Sequence, residues 1–172
     1  MSPTQNLLKM RRDTAPSLRR VSARANRRAV KRIRLAVLLA CFNRRETTLQ
    51  CLNSLFAQDN EPFCDIEVFV LDDASSDGTS QAIAERFPSV HLLGGTGSLF
   101  WTGGMHKAFE AALKQQFDFY LWLNDDTTLF EWALQRMFET AEELRGHGIE
   151  AIVVGNTRSP HSPEHTYGGI SM

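Results

Sequence analysis

Apolar residues alternate along this chain between short continuous runs and helical repeats. The first run, Ile33–Ala40, has the length of one strand and the texture of a strand buried on both faces of a parallel sheet. Further runs of strand length are Ile66–Leu71, Val90–Leu93, Phe119–Leu123 and Glu150–Val154. Segments with helical spacing lie between them: Glu46–Ala57, Thr79–Phe87, Met105–Gln116 and Phe130–Arg145. This alternation predicts βαβ units and an α/β fold.

We therefore expect a mostly parallel, Rossmann-like sheet of about five strands flanked by helices. Sheets of this kind bind ligands at the carboxyl ends of their strands. Three of the predicted strands end in polar residues. Asn43 and Arg44 follow the first strand, Asp72 and Asp73 end the second, and the segment 124–126 (Asn-Asp-Asp) follows the fourth. The sequence therefore predicts a binding site where these three strand ends meet.

Charge divides the chain into two parts, although its net charge is only −1. Residues 1–34 hold eleven basic residues and one acid, which leaves a formal charge of −11 on the remainder. We expect residues 1–32 to form a disordered basic arm and 33–172 to form the folded domain. A solvated tail, a segment lying on anionic lipid headgroups, a transit peptide and a misassigned start codon all remain open for the arm. Nucleic acid is not expected as a partner, because the acidic body offers no basic face.

The cysteines and the apolar runs indicate a compartment. Cys41, Cys51 and Cys64 are an odd set without C-x-x-C spacing, which fits a reducing environment better than a disulfide framework. The chain shows no apolar signal-peptide core, and its longest apolar run is too short to span a bilayer. We expect a cytoplasmic protein, with peripheral contact at the inner face of the membrane through the basic arm.

The paired aspartates are the strongest chemical signal. Asp72 and Asp73 are neighbouring acids at the end of a buried strand, where two carboxylates repel each other unless donors or a cation face them. Asp125 and Asp126 offer the hard oxygen ligands that Mg²⁺ or Mn²⁺ prefers. The alternative for the first pair is a solvated turn with Asp77 as a capping residue, and capping fully accounts for Asp77. The alternative for the second pair is that Asp125 or Asp126 caps the next helix.

The glycine-rich segment Gly94–Gly104 has neither the dinucleotide fingerprint nor a P-loop lysine. It carries Phe100 and Trp101, which either face a ligand or pack on the core. His106 and Lys107 are placed in the first turn of the next helix, where they face a phosphate or simply solvent.

Three motifs in order resemble glycosyltransferase family 2, whose members have the GT-A fold. Ala40–Arg44 is similar to the family segment that ends the first strand, Asp72–Thr79 to its DD-x-S-x-D-x-T element, and the segment 123–126 to its variant D-x-D metal motif. The resemblance covers roughly Ile33–Tyr167. The region Trp101–Lys107 also resembles rhamnosyltransferase-like members, although His106 stands where relatives often have Asn.

The resemblance implies a role for each matching position. Asp73 would bind the base with Asp72 in support, Asp125 would face the ribose and donor sugar, and Asp126 together with Asp125 would hold Mg²⁺ or Mn²⁺. The implied nucleotide-sugar-binding residues are Ala40, Asn43, Asp72, Asp73, Trp101, Gly104 and Asp125.

The family also implies a function. We expect an inverting, metal-dependent glycosyltransferase of cell-envelope polysaccharide biosynthesis, which moves a sugar from a nucleoside-diphosphate sugar to the hydroxyl of a sugar or lipid-linked acceptor. In the family the general base comes from an acceptor half that follows the nucleotide half, and no catalytic base is identifiable here. The domain is therefore expected to be truncated, with an incomplete acceptor half. The alternative is a non-catalytic module that binds a nucleotide or a partner.

Overall fold

A four-stranded parallel sheet forms the centre of the part of the chain that the structure describes. The structure, a computed structural model, describes residues 32–58, 64–159 and 165–167. The strands of the sheet are β1 (Ile33–Cys41), β2 (Cys64–Asp72), β3 (His91–Gly94) and β4 (Phe119–Trp122), in the order β3-β2-β1-β4. All neighbouring strands are parallel. The helices are α1 (Arg45–Phe56), α2 (Thr79–Arg86), α3 (Phe100–Ala112) and α4 (Ala133–Gly146).

The two faces of β1 are buried against different helices. Leu35, Val37 and Leu39 belong to one apolar cluster, which includes buried residues of α1, α2 and α4. Ala36, Leu38 and Ala40 belong to a second cluster with buried residues of α3. Burial on both faces explains why this strand is apolar at consecutive positions rather than at alternate ones. The expected α/β fold with a mostly parallel sheet is confirmed.

The predicted fifth strand, Glu150–Val154, is wrong. Residues 149–156 have no regular secondary structure, so the main sheet has four strands rather than about five among the described residues. The segment Ala151–Gly155 instead lines one side of a cavity of about 800 Å³, with residues of β4 and α4 lining the other. A strand needs a hydrogen-bonded neighbour about 4.8 Å away. An apolar run indicates the tendency to extend but not the presence of that neighbour.

Two short strands follow this segment. β5 (Thr157–Arg158) and β6 (His165–Tyr167) form an antiparallel pair outside the main sheet. The predicted basic arm lies outside the described residues except for Arg32, which pairs with Asp65 at 2.8 Å.

Candidate functional site

The ends of β1 and β2 lie side by side, because Cys41 is the register partner of Asp72. The loops that follow are tied to each other by hydrogen bonds. The Asn43 backbone N–H donates to Ser75 Oγ at 2.8 Å, and Asn43 Oδ1 accepts the Ser76 backbone N–H at 2.8 Å. Asn43 therefore holds the two loops at a fixed separation.

Asp72 is only 2% exposed and turns its carboxylate into the loop that follows β2. Its Oδ1 accepts the Ser75 backbone N–H at 3.0 Å, and its Oδ2 accepts the Ser80 hydroxyl. Asp77 accepts the backbone N–H of Thr79, the first residue of α2, at 3.0 Å, so it satisfies an N–H group at the start of that helix, although Gly78 occupies the N-cap position. Asp77 also accepts the backbone N–H of Arg45, the first residue of α1, at 3.0 Å.

Backbone N–H groups occupy the acceptor positions of the Asp73 carboxylate. Its Oδ1 accepts the N–H groups of Thr96 (3.0 Å) and Gly97 (2.8 Å), and its Oδ2 accepts those of Leu99 (2.8 Å) and Phe100 (3.1 Å). Burial raises the pKa of Asp73, but these four hydrogen bonds outweigh it and lower the pKa below its ordinary value. An ionised carboxylate has about four acceptor positions, so little capacity remains for a ligand.

Asp73 also changes where α3 begins. The helix was expected from Met105 but starts at Phe100, because Asp73 satisfies N–H groups at its amino end and places a negative charge there. His106 and Lys107 therefore lie in the second turn rather than the first. Both are exposed, and His106 Nδ1 lies 3.6 Å from a carboxylate oxygen of Glu110.

Two glycines allow this loop and helix to approach the sheet. A Cβ at Gly95 would lie 2.8 Å from Asp73 Cα and closer still to its Oδ1. A Cβ at Gly104 would lie 2.7 Å from the Cβ of Ala40 and 3.1 Å from Leu71 Cδ2. Ala40 and Gly104 therefore meet inside the contact between β1 and α3. Ala40 and Gly104 are both buried.

The second aspartate pair shares one cation. Arg44, in the loop after β1, places Nη1 3.3 Å from Asp125 Oδ1 and 3.2 Å from Asp126 Oδ2. Asp125 is 7% exposed, whereas Asp126 is exposed. Burial raises the pKa of Asp125, Arg44 lowers it and the neighbouring Asp126 raises it, with a net upward shift. Two carboxylate oxygens therefore converge on one positively charged atom.

This convergence fits a divalent cation. The described residues contain no group of three or more His, Cys, Asp or Glu side chains arranged to hold a metal ion. Mg²⁺ and related ions commonly use one or two carboxylates and complete their coordination with substrate phosphates and water. Asp125 and Asp126 fit that arrangement, whereas a metal site made of protein ligands alone is not present in the described part of the chain.

Aromatic side chains line the approach from α3. Trp101 is half-exposed, and its Nε1–H donates to Asn124 Oδ1 at 3.1 Å, which ties the start of α3 to the loop after β4. Its ring meets Trp122 edge-on, with the centroids 6.0 Å apart. Phe100 is 81% exposed. These rings offer apolar surface next to the polar strand ends.

Backbone strain is concentrated around the same loops. Three described residues other than glycine have a left-handed backbone: Asn43 (φ 51°), Ala74 (φ 62°) and Phe100 (φ 53°). Asn43 lies just after β1, Ala74 lies just after β2, and Phe100 is the first residue of α3. Left-handed non-glycine residues are uncommon and tend to occur at ligand sites.

The sequence model of the Glycosyl transferase family 2 matches residues 36–167, which is most of the chain. The chain belongs to glycosyltransferase family 2. The predicted motifs all lie inside the matched region. No curated protein matches the sequence significantly.

Solved structures agree with the family 2 fold. A mannosyltransferase of Pyrobaculum calidifontis, determined with GDP-Man and Mn²⁺, is 22% identical and has a TM-score of 0.56. S. aureus TarS 1–349, determined with UDP-GlcNAc, is 22% identical and has a TM-score of 0.55. The matched regions cover 64% and 66% of this chain and 32% of each solved structure. The chain therefore spans about a third of the length of these relatives.

The family 2 domain also contains features that the sequence did not predict. Arg44 belongs to the first motif, but no role was assigned to it from the sequence. The available signal for its contacts was its positive charge, which is opposite to that of Asp125 and Asp126 at another strand end. The serine contacts of Asn43 and Asp72 had no sequence signal, because polar residues are common in any turn.

Within the described residues, every helix is too short or too polar to cross a bilayer.

Three buried cysteines lie in or near the sheet. Burial raises the pKa of Cys41 and Cys51 to about 12 and that of Cys64 to about 11. A thiol must ionise to act as a nucleophile, so these residues serve as small apolar side chains in the family 2 domain.

Proposed function

We propose that this chain binds the donor of a glycosyltransferase, a nucleoside-diphosphate sugar, for transfer of the sugar to an acceptor hydroxyl. The observation that carries this proposal is the convergence of Asp125 and Asp126 on one cationic position beside the strand-end loops. Family membership supports the choice of substrate class. Two of the most similar solved structures, those with GDP-Man and with UDP-GlcNAc, hold ligands of that class.

Charge balance supports a metal-dependent donor site. The strand-end loops carry several carboxylates, and a diphosphate would be repelled by them unless cations lay between. Asp126, assisted by Asp125, would hold Mg²⁺ or Mn²⁺ against the diphosphate. Bound there, the ion would neutralise negative charge on the leaving group. The two aspartates would orient the diphosphate side of the donor.

The remaining predicted residues divide into two proposed groups. Asn43, Trp101 and Asp125 have side chains at the strand-end loops and are proposed to border the nucleotide or the sugar. The second group is proposed to support the pocket without contacting the ligand. The carboxylates of Asp72 and Asp73 are hydrogen-bonded to loop residues, and Ala40 and Gly104 are packed against each other. This role for Asp73 is an alternative to the base contact that the resemblance implies.

A general base for the acceptor hydroxyl is not assigned to any described residue. We propose an inverting transfer to a sugar or lipid-linked acceptor in cell-envelope polysaccharide synthesis, with the base outside the described residues. Inversion predicts a product of opposite anomeric configuration to the donor, which proton NMR of the product distinguishes from retention.

We also propose that the protein is cytoplasmic and that residues 1–32 act as a separate basic arm on anionic membrane. Sedimentation with phosphatidylglycerol vesicles tests this proposal. Binding should weaken as salt rises and disappear when residues 1–30 are deleted, and binding that survives the deletion would contradict it.

Calorimetric titration with UDP, GDP and dTDP, each with and without Mn²⁺, tests the donor site. We expect at least one nucleotide to bind only with Mn²⁺, and Asp126→Ala to weaken that binding by about tenfold, equivalent to about 1.4 kcal/mol. Asp65→Ala is the matched control, because Asp65 is an exposed aspartate at the opposite end of β2. The proposal fails if no nucleotide shows metal-dependent binding.

The second candidate is a nucleotide-binding module without transferase activity. Metal-dependent release of nucleoside diphosphate in the presence of an acceptor supports the transferase, whereas nucleotide binding without release supports the module.

A further inference from the structure

Arg44 is a cation with a fixed backbone and a side chain that reaches across the site. Its carbonyl accepts the Thr48 N–H at 2.8 Å in the first turn of α1. Its guanidinium extends to the loop after β4, where Nη1 contacts both Asp125 and Asp126. One nitrogen therefore bridges two carboxylates that lie 81 and 82 residues further along the chain.

The contacts of this guanidinium are loose. Hydrogen bonds between a guanidinium and a carboxylate are typically about 2.7–2.9 Å long, and the strongest are bidentate. Here the distances are 3.3 and 3.2 Å, and the same nitrogen makes both contacts. The Arg44 side chain is also 53% exposed. Charge rather than close geometry holds it, so displacement costs little.

A divalent ion and this guanidinium exclude each other. The carboxylate oxygens that contact Arg44 belong to the two residues proposed to hold the ion. Oxygen ligands lie about 2.0–2.1 Å from Mg²⁺, which leaves no space for a second cation between them. Entry of the ion therefore requires Arg44 to leave the aspartate pair.

We propose that Arg44 exchanges between the aspartate pair and the donor diphosphate, and so couples metal binding to nucleotide binding. This inference rests on the proposed function. Without nucleotide, the guanidinium competes with the ion for the carboxylates. With a diphosphate present, it turns to the phosphate oxygens, which a planar guanidinium recognises well. By linkage, each ligand then favours the binding of the other.

A fixed ion pair is the simpler alternative, in which Arg44 only holds the two aspartates in place. The alternatives predict opposite changes in metal affinity. Removing a competing cation strengthens metal binding, whereas removing a support for the ligands weakens it or leaves it unchanged. Metal affinity without nucleotide therefore distinguishes them.

The experiment compares the full chain with Arg44→Gln and Arg45→Gln. Arg45 carries the same charge one residue further on, and its side chain lies 3.7 Å from Glu46. Its contact with Asp77 is made by the backbone N–H, so Arg45→Gln retains it. Mn²⁺ binding without nucleotide is measured by electron paramagnetic resonance of the free ion. UDP and GDP are then titrated at saturating Mn²⁺.

We expect Arg44→Gln to bind Mn²⁺ about tenfold more tightly without nucleotide, and to bind the nucleoside diphosphate about tenfold more weakly at saturating Mn²⁺. Arg45→Gln should match the wild type in both measurements. Unchanged or weaker Mn²⁺ binding by Arg44→Gln, in a protein with a native melting curve, would overturn the exchange.

Arg44→Lys covers the case in which Arg44→Gln does not fold. Lysine keeps the positive charge but lacks the planar guanidinium that can donate two parallel hydrogen bonds to a phosphate, so Mn²⁺ affinity should stay near wild type while diphosphate affinity falls. Diphosphate binding equal to wild type would overturn the exchange. If the wild type binds metal and nucleotide but the Arg44 variants change neither, only the exchange fails. If the wild type binds neither, the proposed function fails with it.

Discussion

Gly94 and Gly95 are adjacent residues with very different surroundings at the end of β3. A Cβ at Gly94 would meet nothing within 4 Å, whereas a Cβ at Gly95 would press into Asp73. We expect Gly95→Ala to lower the free energy of unfolding by about 1–3 kcal/mol, the usual cost of forcing atoms into a packed region. Gly94→Ala should change it by less than about 0.5 kcal/mol. Urea unfolding of both variants measures this, and equal midpoints would contradict the close contact.

The roles of single residues followed from the sequence only when their partners were close along the chain. Asp77 was interpreted as a capping residue, and its bond to the first N–H of α2 is local because Thr79 lies two positions away. Its second backbone partner, Arg45, lies 32 positions away and was not predicted. Asp73 has partners 23 to 27 positions away, and Arg44 has partners more than 80 positions away. Residue type therefore identified these charged groups, but the fold decides which atoms they meet.

At the scale of elements, α3 depends on a carboxylate from another strand. Asp73→Asn keeps the side-chain size but offers one acceptor oxygen instead of two, so at least one pair of backbone N–H groups loses its partner. We expect the amides of Thr96, Gly97, Leu99 and Phe100 to exchange about tenfold faster or more in this variant. Hydrogen-exchange NMR measures the change. Asp65→Asn, at an exposed ion pair, is the control and should leave these amides unchanged.

Ionisation of the Asp73 carboxylate makes the stability of the folded chain depend on pH. The pKa of Asp73 is lower in the folded chain than its ordinary value, so the ionised form stabilises the folded state. That stabilisation is fully present above the unfolded pKa, about 3.9, and is lost as pH falls through the folded pKa. We therefore expect melting temperatures of the wild type and Asp73→Asn to converge as pH falls below about 4. A constant difference across that range would contradict the assignment.

Hydrophobic patterning predicted the strands of the main sheet well. The central strands β1 and β2 lie within one or two residues of their expected bounds, because buried parallel strands are apolar at consecutive positions. The edge strands β3 and β4 lie within one residue of theirs. The pattern was wrong for Glu150–Val154, where apolar residues line a cavity without a strand partner. It also began α3 late, because the capping group comes from Asp73 rather than from the local sequence.

At the scale of the whole molecule, the edge of the sheet at β4 carries apolar surface. A cavity of about 800 Å³ lies beside this edge. Among its lining residues, Trp122, Ile152 and Val154 are large apolar side chains exposed to solvent, and we call these three residues the edge patch. Ile152 is 92% exposed. Unpaired strand edges and contiguous apolar patches both favour association between chains.

We therefore expect this chain to self-associate through the edge patch, and Ile152→Lys to shift the population toward the monomer. Sedimentation velocity over a range of protein concentrations measures the shift. Gln81→Lys is the control, because it adds the same charge at an exposed position of α2. Apolar association should persist at high salt, which screens charge but not apolar contact. A monomer at every concentration would show that the edge patch is covered in solution, and an equal effect of both lysine variants would show that net charge rather than this edge controls association.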